Sequence, residues 1–244
     1  MPRNAADRIT LAEIGAALTA HGLRLRGGFH PDADDGLPAP ADGSDAGTLL
    51  LVGHAGADMW RQFSASRFLA GDGAGSAPLD DWSRKVIGEV ATTFSALPLY
   101  PFEGPPYWPF QRWAQRAEPV HPSPLGPLIH PEFGLWHAYR GALLLPGRLP
   151  LPPVAASPSP CESCAERPCL NRCPVDAVAE GAYDVPACTG HVGGPHGGDC
   201  RERGCLARRA CPVGQAYAYG PAQAAFHMAA FLRNAAGLAG QGRG

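Results

Sequence analysis

Eight cysteines crowd between Cys161 and Cys211 of a 244-residue chain, and none precedes them. They read Cys161-x2-Cys164-x4-Cys169-x3-Cys173-Pro174, then Cys188-x11-Cys200-x4-Cys205-x5-Cys211-Pro212. The two sets of four each close on Cys-Pro. Thiolates are soft donors suited to iron, and a cubane cluster takes four of them from a short length of chain. The duplicated pattern therefore predicts two 4Fe-4S clusters with all eight cysteines as ligands. If the closing cysteine of each run serves the other run's cluster, Cys161, Cys164, Cys169 and Cys211 hold one. Cys173, Cys188, Cys200 and Cys205 then hold the second.

Disulfides and zinc compete for the same cysteines. Disulfides need an oxidising compartment. The N-terminal stretch has no apolar h-region, since Glu13 interrupts it, which argues against a secretory signal. No apolar run approaches the roughly 20 residues that span a bilayer. A cytoplasmic location with no membrane partner is the expectation. Structural zinc sites also use cysteine pairs, but zinc leaves the two Cys-Pro closures unexplained. The x4 and x5 spacings exceed those of the compact ferredoxin run. The number of clusters is thus better specified than the pairing of ligands.

The cysteine distribution divides the chain into a first domain over 1–150 and a cluster domain over 151–244. A hydrophobic fraction of 45% is enough for a core in the first. The net charge of −2 argues against a nucleic-acid partner. Lys85 is the sole lysine beside abundant Ala, Gly and Pro, a coding bias that removes weight from isolated glycines and prolines.

Thr10 and Glu13 form a capping-box pattern ahead of a helix over about 11–21, with Gly22 as its stop. Strands are predicted from Leu23 to Phe29, over Thr48–Gly53 and over Gly141–Leu145, and Pro31–Gly47 reads as an exposed loop. A helix over 58–70 and a longer one with the stripe Trp82, Val86, Val90 and Phe94 follow, the latter stopped by Pro98. The segment Pro98–Trp113 is aromatic and stiff. A proline-rich linker over Pro146–Pro160 leads into the cysteines, and a helix over 221–233 with Pro221 at its start follows them. The glycine-rich end, 237–244, is expected to fray. Helices mixed with short strands give an α+β first domain whose strand order the sequence does not specify.

Two resemblances refine this picture. The cysteine half resembles the dicluster ferredoxin domain of epoxyqueuosine reductases and corrinoid-dependent reductive dehalogenases. The stretch Ile129 to Gly147, with His130, Pro131, Phe133, Gly134, Trp136, Ala138, Arg140 and Gly141, resembles the CblC-type cobalamin-processing proteins. The second resemblance implies a nitroreductase-like first domain that encloses cobalamin or a related corrinoid, with a flavin as the alternative cofactor. Together they imply a ferredoxin-like domain passing electrons from an external donor to cobalt, with removal of the upper ligand. Arg140 maps to an arginine associated with a glutathione pocket.

His130 could approach cobalt or simply hydrogen-bond within its turn. Phe133, Gly134 and Trp136 could contact a flat ligand, Gly134 by letting the backbone approach closely. Arg140 could clamp an anionic group or form an ion pair, and Tyr139 could donate a proton or pair its hydroxyl. Tyr107 and Trp108 offer large faces to a macrocycle or to a dimer interface. His191 and His196 fall in a glycine-rich stretch read as a surface loop. The implied function is a cobalamin-reducing or dealkylating oxidoreductase. Its competitors are an epoxyqueuosine-reductase-like enzyme acting on transfer RNA and a non-catalytic electron carrier or cobalamin chaperone.

Overall fold

The computed structural model describes residues 9–37, 47–70 and 77–241. The described residues gather into two compact units, one from Met1–Pro119 with His137–Ala156, the other from Val120–Trp136 with Ser157–Gly244. Where the sequence suggested a single division near 150, Val120–Trp136 groups with the cysteine region. The first part of the proline-rich linker groups with the sheet.

In the first unit, α1 (Leu11–Thr19) begins with the expected capping box: the Thr10 hydroxyl accepts from the Glu13 amide, and the Glu13 carboxylate accepts from the Thr10 amide. Then come β1 (Arg24–Phe29), β2 (Thr48–Ala55), α2 (Asp58–Ser64), α3 (Arg67–Ala70), α4 (Pro78–Thr93), β3 (Leu97–Leu99), α5 (Phe110–Ala117) and β4 (His137–Leu145). The four strands form one antiparallel sheet in the order β1-β2-β4-β3. Helices and an antiparallel sheet make this an α+β arrangement. β2 is flanked on both edges and every one of its residues is buried, which is why Leu49 to Val52 reads as an unbroken apolar run.

α4 turns Trp82, Val86 and Val90 inward as predicted, and Phe94 caps its end. Pro98 proved not to be the stop. It lies within β3, a sheet edge, where a missing N–H is tolerated. The single helix expected over 58–70 is two, α2 and α3, interrupted at Ala65 and Ser66. Of the loop predicted from Pro31, residues 38–46 lie outside the described residues. The remainder winds a short 3-10 turn, Ala33–Asp35, whose Asp35 is buried, pairs with Arg116 and accepts the Trp113 indole N–H on its backbone oxygen at 3.0 Å. α5 packs on β1 and β2. Gly27 permits the close approach: its φ is +71°, and a Cβ there would meet the Ala117 carbonyl oxygen at 2.1 Å.

The second unit has little regular sheet. A 3-10 turn (Pro168–Leu170) precedes the hairpin of β5 (Val178–Ala179) and β6 (Ala182–Tyr183), then α6 (Val185–Gly193), α7 (Gly198–Arg203) and α8 (Leu206–Ala210). After another 3-10 turn, Gln215–Tyr217, α9 (Pro221–Gln241) packs against α6 and α7. α9 runs past the residue-233 limit and into the region expected to fray, while residues 242–244 lie outside the described residues. The stretch with His191 is helical, not a loop. His191 sits in α6, and Arg201 from α7 donates to the carbonyls of Val192 (2.6 Å) and Gly194 (3.3 Å), tying the following turn. Among the described residues no helix is long and apolar enough to cross a membrane.

Candidate metal centre

The second unit sorts its cysteines across the two sequence runs. Cys161, Cys164, Cys169 and Cys211 line one cavity of about 420 Å³. Cys173, Cys188, Cys200 and Cys205 line another, far smaller, of about 20 Å³. Local structure explains the exchange. Cys169 occupies the 3-10 turn Pro168–Leu170, and α8 packs against that turn and delivers Cys211 at its end. Cys173, just beyond, is left to face α6 and α7, which carry Cys188 and Cys200.

Backbone amides converge on the sulfurs. The Ala177 amide donates to Cys173 Sγ at 3.3 Å. Cys205 stands at the N-cap of α8, where the free amides of the first turn, Ala207 and Arg208, favour its thiolate without a hydrogen bond to the sulfur. Pro212 has no N–H, and it is the amide of Val213 that favours the Cys211 thiolate. The hydroxyls of Ser159 and Tyr183 likewise favour the thiolates of Cys161 and Cys188.

Burial is the main cause that pushes the thiols of Cys161, Cys169, Cys188, Cys205 and Cys211 up, and neighbouring cysteines add to it. Those neighbours respect the two groups. Cys161 is opposed by Cys211, Cys169 and Cys164; Cys188 is opposed by Cys173 and Cys200. These five thiols thus resist ionisation on their own, and a cationic centre is what deprotonates a ligating thiol. Four soft donors with amides close by are the donor set of a polynuclear iron–sulfur core, and the larger cavity also has the room for one. Among the described residues no three His, Cys, Asp or Glu side chains are grouped to hold a single metal ion.

The residues tied to a corrinoid by resemblance are divided between the units. His130, Phe133, Gly134 and Trp136 belong to the second. His130 Nδ1 accepts from the amides of Glu132 (3.0 Å) and Phe133 (3.2 Å), and its ring stacks on Phe133. Phe133 meets Tyr217 edge-on at 4.9 Å. Trp136 packs against Tyr219 and beneath the Arg208 guanidinium at 4.6 Å. Arg208 also donates to the Leu135 carbonyl, so this part of the motif anchors α8. Gly134 does admit a close neighbour, but it is the Val213 backbone, two residues past Cys211.

Tyr107, Trp108, Tyr139 and Arg140 belong to the first unit. Tyr107 is 64% exposed, and Trp108 stacks on buried Trp113 at 6.1 Å. Arg140 donates to Ser83 Oγ (3.0 Å), the Leu79 carbonyl (3.3 Å) and Asp80 (2.5 Å). Tyr139 donates its hydroxyl to Glu118, and burial foremost, then the Glu118 charge, pushes its pKa up. Glu118 also pairs with Arg26 at 2.7 Å, although Arg26 is only 2% exposed. Arg26 further donates to the His54 carbonyl (3.2 Å) and His137 Nδ1 (3.2 Å). An arginine has no acceptor, so His137 Nδ1 carries no proton there. The sequence carried no signal for this buried network, nor for Ser159 and Tyr183, whose offsets from their cysteines match no ligand spacing.

No family model matches the chain, and no curated protein matches it. Among solved structures it is similar to a selenomethionine-labelled epoxyqueuosine reductase, with a TM-score of 0.52 and 14% identity over 87% of this chain and 68% of that one. It is also similar to epoxyqueuosine reductase from Streptococcus thermophilus (TM-score 0.49, 13% identity, 84% of this chain and 66% of that one). A third is an epoxyqueuosine reductase with a tRNA-Tyr epoxyqueuosine-modified stem loop (0.46, 12%, 86% and 68%). At 14% identity the first likeness is one of fold. Fold and site together define a mixed α/β protein with an antiparallel sheet unit and a cysteine-rich unit, sharing the fold of an epoxyqueuosine reductase.

Proposed function

We propose that the chain is an iron–sulfur oxidoreductase of the epoxyqueuosine reductase type, with two 4Fe-4S clusters held by its eight cysteines. One observation carries the reading: two cavities, each lined by four cysteines drawn from both sequence runs. When bound, two such clusters supply one-electron transfers whose sum matches a two-electron reduction. The chain's own part is to hold and tune. Amides of Ala177, Ala207, Arg208 and Val213 and the hydroxyls of Ser159 and Tyr183 stabilise thiolate charge.

The fold likeness supports an epoxide-bearing modified nucleoside as the substrate class. The corrinoid role has less support, since the residues implied for it are engaged within their own units. Oxygen-free reconstitution is the first test. About eight irons and eight sulfides per chain are expected, and zinc in their place refutes the reading. Transfer RNA carrying epoxyqueuosine, incubated with the reduced protein and digested to nucleosides, then tests the substrate. Unchanged epoxyqueuosine after full reduction excludes that activity.

A further inference from the structure

The larger cysteine cavity has a lining residue that the proposed function does not use. His121 lines it together with Cys161, Cys164, Cys169 and Cys211. Its backbone is held by a two-way bridge: its amide donates to the Ile129 carbonyl at 3.0 Å, and the Ile129 amide donates back at 2.7 Å. Ile129 is 1% exposed and packs with Leu135 and Cys211, with Cys161 and Val213 against the same cluster of side chains. The bridge therefore fixes His121 beside the wall that carries two of the four cysteines.

His121 Nε2 is buried and has no hydrogen-bond partner among the described residues. A buried ring nitrogen of this kind calls for a partner; of the carboxylates on the lining, Glu180 is exposed and pairs with Arg167 at 2.6 Å, and Glu162 is exposed. The Ser123 hydroxyl is committed to the Pro127 carbonyl at 2.6 Å. Ser159 Oγ accepts the Cys161 amide at 3.3 Å. Pro122, Pro124, Pro160, Pro168 and Pro212 bring no amide. Sulfur is the acceptor in which the cavity is rich.

We propose that His121 donates its Nε2–H to a sulfur of the cluster held by Cys161, Cys164, Cys169 and Cys211. It is a tuning residue: the bond stabilises the more negative, reduced state and raises that cluster's potential. The inference rests on the two-cluster reading above and goes beyond it, since a bare ring of cysteines needs no histidine.

The test uses the full chain, labelled with 15N-histidine, reconstituted without oxygen and reduced. Iron and sulfide are counted first, so that a missing cluster overturns the two-cluster reading and is distinguished from failure of the histidine. Pulsed electron paramagnetic resonance should then show a histidine nitrogen coupled to one of the two centres, absent in His121→Gln. Potentiometry should move that centre to lower potential in His121→Phe and less so in His121→Gln, leaving the other centre in place. If the Phe variant fails to take up iron, the wild-type coupling and the Gln variant decide. His191 lines the smaller cavity, so the centre is the one that Cys161→Ser removes: no histidine coupling to it in the wild type, coupling to it that survives in His121→Gln, or an unmoved potential of that centre overturns the proposal.

Discussion

Gly134 and Gly214 lie back to back in the second unit, each in the left-handed region and each reserving space for the other's chain. Gly134 has φ +58°, and a Cβ there would strike the Val213 carbonyl oxygen at 2.0 Å. Gly214 has φ +71°, and a Cβ there would meet Phe133 carbonyl atoms at 2.3 Å. The contact locks the 130–136 turn onto the segment after Cys211. Gly134→Ala meets strained dihedrals and backbone that cannot yield, so a loss of at least about 3 kcal/mol is expected. Thermal unfolding reads this, and iron content should fall with it if the segment after Cys211 positions that ligand. Full stability in the variant would show that the two glycines do not set the contact.

The exchange of cysteines between runs has its own signature. Cys161→Ser and Cys211→Ser, 50 positions apart, should damage the same centre, because both line one cavity. Cys173→Ser, though only four positions after Cys169, should spare that centre and damage the other. Each single variant should fall from about eight irons per chain toward about four. The paramagnetic spectra of the reduced variants should sort into two classes, and sorting by sequence run in place of cavity would refute the pairing.

The eight cysteines and their two Cys-Pro closures were legible in the sequence, because residue number and spacing are local features that survive folding unchanged. Periodicity likewise placed α1, α4 and β2, whose buried faces repeat at fixed intervals. What escaped was long-range. Arg140 meets Asp80 from 60 positions away, and Arg26 meets Glu118 from 92, so no window of sequence holds both partners. The motif from Ile129 to Gly147 reads as one piece, yet its halves belong to different units. Pro98 misled because a helix stop and an edge-strand proline look alike without the sheet.

Arg140 offers a clean separation between anchoring and chemistry. Its guanidinium, with a side chain 12% exposed, ties β4 to the start of α4 through Asp80, Ser83 and the Leu79 carbonyl. Arg140→Ala strands Asp80 and removes three donor contacts, a loss of about 2–3 kcal/mol in stability. Arg140→Lys keeps the charge but not the fork, so it should recover only part. Denaturant unfolding measures both. Cluster spectra and potentials should be unchanged in either variant, whereas a shifted potential would assign Arg140 a role in electron transfer.

Glu118 contributes a pH dependence of its own to the first unit. Burial, the largest cause, raises its pKa above the usual carboxylate range, and the Arg26 charge and the Tyr139 hydroxyl pull it back only in part. The folded chain therefore holds this proton more tightly than the unfolded chain does. The resulting stability is present below the ordinary carboxylate range and is lost as pH rises through the raised value. Glu118→Gln removes the titration while its amide oxygen still accepts from Tyr139, so the difference between variant and wild type isolates the effect. The variant also leaves the buried Arg26 guanidinium without its counter-charge, an overall cost of about 3 kcal/mol. Denaturant unfolding from mildly acid to neutral pH should show a lower but flatter stability profile for Glu118→Gln. A wild-type profile that instead rises with pH relative to the variant would mean that the Arg26 pairing outweighs burial and holds the carboxyl below its usual range.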